Sequence, residues 1–127
     1  MSHVPAQLRY SHTHEWVAQI APGHFRVGIT DHAQELLGDV VFVELPMLEQ
    51  EVQADAACGV IESVKAASDL YTPLTGKILA SNAELVDNPQ WLNEDPYEKG
   101  WIFEIQAADA DFTQLMDASA YQHSLGD

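Results

Sequence analysis

Base is scarce in this chain. Five Lys and Arg residues stand against twenty Asp and Glu, a formal net charge of −15. A surface of that sign repels phosphate backbones and anionic bilayers, which argues against nucleic-acid and membrane partners. It favours proteins with basic docking surfaces. Cysteine is almost absent. Cys58, the one present, excludes an intramolecular disulfide and, lying in an apolar stretch, reads as a buried inert thiol. No apolar run is long enough to span a bilayer. Residues Met1 to Gln7 lack the pattern of a signal or transit peptide, so a soluble cytoplasmic protein is expected. No Gly-x-Ser-x-Gly, Gly-x-Gly-x-x-Gly or phosphate-loop motif occurs, and no catalytic residue is expected.

What is present suits one compact domain. The 127 residues are 46% apolar, enough for a single modest core. Short strand-like segments dominate. Glu15 to Ile20 and His24 to Ile29 flank a turn at Ala21-Pro22-Gly23. Asp31 to Leu37 reads as a helix capped by Thr30 or Asp31 and ended by Gly38. Strands are expected over Asp39 to Leu45, Cys58 to Val64, Lys77 to Ala80 and Trp101 to Gln106. Ser81 or Asn82 is expected to cap a short helix reaching Val86, and Pro89 and Pro96 to bracket a loop around Trp91. A helix over Ala110 to His123 would bury Leu115 and Met116. Many short strands with Pro and Gly turns, plus peripheral helices, point to a small barrel or sandwich.

The six histidines raise the question of a metal. His12 and His14 would share a strand face, but zinc needs more convergent ligands and the chain has no paired cysteines, so no metal site is expected. The informative stretch runs from Gly59 to Ile78. Two strand-like arms flank Lys65, one of only three lysines, and place it at a hairpin tip beside the small residues Ala66, Ala67 and Ser68. A rigid, protruding amine is what an enzyme that acylates a single lysine needs.

This hairpin resembles the lipoylation segment of glycine cleavage system H proteins. Four further stretches extend the resemblance over nearly the whole chain: His14 to Val17, Val27 to Gln34, Leu37 to Pro46, and Asn93 to Tyr97 followed by Gly100-Trp101. Asp55, where the family commonly places glycine, and Cys58, at a position more often aromatic, depart from its pattern.

The resemblance implies a mainly β, barrel-sandwich hybrid fold of the lipoyl/biotinyl-carrier type. Short peripheral helices and a C-terminal helix would complete one lipoyl-carrier domain over residues 1–127. It implies a lipoyl group amide-linked to Lys65, and a non-catalytic, monomeric carrier that visits several enzymes in turn. Those partners would be glycine decarboxylase, which loads an aminomethyl group, a tetrahydrofolate-dependent aminomethyltransferase, and dihydrolipoyl dehydrogenase. A lipoate-attaching enzyme would also bind it. Glu15 and Asp69 match acidic positions of the family. With Thr13 and Thr72 they are expected to line a cleft that shelters the loaded arm. Glu62, three residues before Lys65, is expected to help the attaching enzyme recognise the hairpin. Two rival carriers remain: one that mainly relays lipoate to other enzymes, and a biotin carrier. Val64 and Ala66 stand where a biotin carrier has methionines.

Overall fold

The computed structural model describes residues 3–126. Its first half contains β1 (Arg9–Tyr10), β2 (Glu15–Ala21), β3 (His24–Ile29), α1 (Asp31–Leu37), β4 (Val40–Glu44), β5 (Glu51–Val52) and β6 (Ala57–Ser63). There follow β7 (Ala67–Tyr71), β8 (Gly76–Ser81), α2 (Glu84–Asp87), α3 (Trp91–Glu94), β9 (Phe103–Ala107), α4 (Asp109–Thr113) and α5 (Ala118–Ser124).

The strands form two sheets rather than one closed barrel. Six lie in the order β1-β2-β3-β9-β8-β5, and three in the order β4-β6-β7. Every pairing within them is antiparallel. The inner residues of both sheets meet in one core. Val17, Phe25, Val27, Ile78 and Ile105 come from the larger sheet, and Val43, Ile61 and Leu70 from the smaller. Removing such apolar surface from water, at roughly 25 cal/mol per Å2, is the main force that holds the layers together. A second cluster of Leu8, Tyr10, Trp16 and Tyr121 fastens α5 to the first strands.

Local chemistry explains the element ends. Thr30 caps α1 by accepting from the Ala33 amide, and Gly38 closes that helix. The β2–β3 turn narrows to Pro22-Gly23. Asn82 does not cap α2 with its side chain, which donates instead to the carbonyls of Lys99 and Trp101. The segment around Trp91 is a helical turn, α3, and not plain loop. The expected C-terminal helix is two helices. Met116 leaves the helical path to exchange backbone hydrogen bonds with Tyr10 (2.8 and 3.0 Å), and Asp117 then caps α5. Leu115 and Met116 are half-buried against the two clusters.

Candidate functional site

Lys65 lies in the turn that joins β6 to β7. Ser63 organises this turn: its amide donates to the Ala66 carbonyl (2.8 Å), and its Oγ accepts from the amides of Lys65 and Ala66 (3.2 Å each). The Val64 amide donates to Asp39 (3.0 Å), tying the tip to the start of β4. The tip is therefore fixed by hydrogen bonds while Val64, Lys65 and Ala66 stay exposed. The Lys65 side chain rests against Gly38, the residue that ends α1.

Beside the hairpin is a cleft of about 160 Å3. Ile29, Leu36, Leu37, Ile61 and Leu70 give it apolar walls, and Thr13, His14, Glu15, Ser68 and Asp69 supply its polar lining. Helix α1 thus connects the two features, with Leu36 and Leu37 in the cleft wall and Gly38 under Lys65.

Glu15 is the electrostatic centre of the cleft. It is only 2% exposed. Its carboxylate accepts from Ser11 Oγ at 2.6 Å and from Thr13 Oγ1 at 2.5 Å, and the Tyr71 backbone also hydrogen-bonds it. Burial outweighs these donors, with a smaller push from the Asp55 charge, and raises the carboxyl to about 7. A buried carboxylate so poised is a strong receptor for a cation. Burial, and secondarily Glu15, also pushes the Cys58 thiol up to about 12, far from the thiolate that reacts.

The structure brings Thr13, Glu15 and Asp69 to this one cavity. Asp69 is exposed and pairs with Val60, out of phase with Ser68 and Leu70, whose partners are Ile61 and Gly59. Alternation along the strand places Ser68, not Asp69, on the same face as Leu70. Thr72 is not part of the lining. It is fully buried, and its hydroxyl donates to the Leu74 carbonyl at 2.7 Å. Glu62 is exposed on β6, between Phe42 and Ala67 in register. His12 and His14 do not share a strand face, because they lie in the turn between β1 and β2. His12 is 4.0 Å from Asp55, whereas His14 bonds Tyr121. Among the described residues no group of three His, Cys, Asp or Glu is arranged to hold a metal.

Sequence reasoning did not assign His14, Ser68 or the α1 leucines to the cleft. The period-two pattern Ser68, Leu70 offered a signal for Ser68. Nothing local signalled His14, whose place depends on a residue more than a hundred positions away.

Two sheets around one core, with a single lysine held out on a β-turn, define a small β domain of the lipoyl/biotinyl-carrier type. The family model described as Glycine cleavage H-protein matches residues 8–127. The chain belongs to that family. It is 56% identical over 128 residues to a glycine cleavage system H protein of Klebsiella pneumoniae, covering all of this chain and 99% of the relative. The Enterobacter protein of the same description is 57% identical over 122 residues, 95% of each chain. The crystal structure of a glycine cleavage system H protein from Mycobacterium marinum superposes with a TM-score of 0.88. It is 39% identical and covers 98% of this chain and 100% of that one.

Proposed function

We propose that the chain is the lipoyl carrier of a glycine cleavage system, one domain of residues 1–127 bearing the group on Lys65. One observation carries this reading: the exposed, hydrogen-bonded Lys65 turn stands next to a cleft with a buried carboxylate, joined to it through α1. Bound there, the lipoyl group would supply the dithiolane that takes up the aminomethyl unit of glycine and surrenders it to tetrahydrofolate.

The residues present fit that group. The Lys65 amine is accessible for amide formation, and the leucine and isoleucine walls suit an apolar arm. The other contributions come from the protein. Glu15, ionised, holds a primary ammonium, and the buried setting strengthens that pairing. Ser11 and Thr13 fix the carboxylate in place. Asp69 adds a second negative charge at the cavity, and Thr72 braces the base of the hairpin. Ile29, Leu37, Ile61 and Leu70 keep water from the carbon next to the nitrogen, which slows hydrolysis. Glu62, exposed on the outer face of the same hairpin, is available to the lipoate-attaching enzyme.

The net charge of −15 suits brief electrostatic encounters with the decarboxylase, the aminomethyltransferase and the dehydrogenase. A cytoplasmic monomer accords with that traffic, and no helix among the described residues is long and apolar enough to cross a membrane.

Co-expression with a lipoate-attaching enzyme, followed by intact mass and peptide mapping, tests the attachment. One lipoyl group on Lys65, absent in Lys65→Arg, is expected. Glycine-dependent exchange of carbon dioxide with glycine decarboxylase then tests the pathway. A fully lipoylated chain that supports no exchange would exclude it.

A further inference from the structure

His14 has no role in the reading above, although it lines the same cleft. Its backbone is in the left-handed region, with φ 70°, which few residues other than glycine adopt. Its Nδ1 lies 2.8 Å from Tyr121 Oη, and Tyr121 Oη lies 2.8 Å from Thr30 Oγ1. Thr30 Oγ1 also accepts from the Ala33 amide at 3.2 Å, as the cap of α1.

These bonds fix the direction of the hydrogens. Thr30 is fully buried, and among the described residues its hydroxyl meets no acceptor other than the Tyr121 oxygen. If Thr30 donates to Tyr121, Tyr121 donates to His14 Nδ1, and every hydrogen in the chain is paired. The reverse direction would leave the Thr30 hydroxyl hydrogen buried and unpaired, which folded proteins avoid. Nδ1 is therefore an acceptor, and the ring proton is on Nε2.

We propose that His14 is a positioning residue of the cleft, a neutral imidazole whose state is set by α5 through Tyr121, so that an incoming ammonium meets Glu15 with no competing cation lining the cavity. This rests on the cleft reading given above. Protonating His14 would put a hydrogen on Nδ1 and reverse the whole chain, stranding the Thr30 hydroxyl. The surroundings act in the same direction: burial first, then the charges of His32, whose ring lies 4.8 Å away, and of His12 hold the imidazole below its ordinary value. Glu15 and Asp69 are the anions that share the cavity. Burial also raises the Tyr121 phenol to about 12, which keeps it a donor. An imidazolium lining the same cavity would repel the ammonium.

The test uses the full chain with 15N-labelled histidine. Proton–nitrogen correlation spectra should show His14 as the Nε2–H tautomer, titrating below pH 6.5 in the lipoylated and unlipoylated carrier alike. Tyr121→Phe keeps the ring stacked on Tyr10 but removes the donor. It should raise the titration midpoint by about half a pH unit or more. An Nδ1–H tautomer in the wild type, or a midpoint unmoved by Tyr121→Phe, would overturn the proposal.

The second readout is ammonia release from carrier charged with glycine by the decarboxylase, followed against pH. At pH 6.5, where Glu15 is titrating in both proteins, Tyr121→Phe should release ammonia faster than wild type. Equal rates there while the midpoint moves would overturn the proposal. Glu15→Gln should release ammonia faster than wild type at pH 7.5. Equal rates there would sink the cleft reading instead, and the tautomer result would distinguish the two failures.

Discussion

Lys65 lies over the glycine that ends α1: a Cβ placed on Gly38 would stand 3.1 Å from Lys65 Cε. The residue proposed to carry the prosthetic group and the stop signal of the helix that walls the cleft are in direct contact. Gly38 adopts φ 77° and ψ −158°, a conformation open essentially to glycine alone. Gly38→Ala should therefore lose about 2 kcal/mol of stability, chiefly through the backbone. The steric part is small, because the end of a lysine moves easily. Denaturant unfolding should give nearly the same loss in a Lys65→Ala background. If most of the loss vanished there, the contact and not the backbone would be its source.

Glu15 makes stability depend on pH. Its folded value of about 7 is above the unfolded value of 4.5. The neutral acid thus favours the folded state, an advantage present in full below pH 4.5 and lost as pH rises through 7. The whole swing amounts to about 3 kcal/mol. Glu15→Gln should lack it, so the stability gap between the two proteins should shift towards the variant by about that amount from pH 4 to pH 8. Parallel stability curves for the two proteins would show that the carboxyl is not so displaced.

Gly76 admits no side chain. A Cβ there would fall 1.7 Å from the Gln106 carbonyl oxygen, in the pairing of β8 with β9. That neighbour is backbone and cannot rotate away. Gly76→Ala should lose about 3 kcal/mol or more and lower the melting temperature accordingly. A variant within a degree of wild type would mean that the two strands separate at little cost.

Asp55 is a non-glycine residue in the left-handed region, at φ 72°. Asp55→Gly should relieve left-handed strain and gain up to about 1 kcal/mol, partly offset by the freedom glycine adds to the unfolded chain. It also removes the anion nearest His12. Thermal unfolding at high salt, which screens the exposed His12–Asp55 pair, isolates the backbone effect. A loss of stability there would mean the carboxylate contributes more than the strain.

The elements read from the sequence are those whose signals are local. The β2–β3 hairpin, α1 with its Thr30 and Gly38 boundaries, and β4 all follow from neighbouring residues. The two-residue strands β1 and β5 do not, because each exists only through a distant partner: Val17 for Arg9, Lys77 for Glu51. The break at Met116 is also invisible locally, since it answers to Tyr10. The site divides in the same way. Lys65, Glu15, Thr13 and Asp69 came from motif resemblance, whereas His14 and its bond to Tyr121 depend on tertiary packing.

The pairing scheme also sets an order on synthesis. The turn that displays Lys65 needs only the stretch from Asp39 to Tyr71, all of it translated before β8, β9 and the C-terminal helices. The cleft wall at His14 needs Tyr121, translated almost last. A nascent chain therefore exposes the segment that an attaching enzyme reads well before it has anywhere to house what that segment will carry.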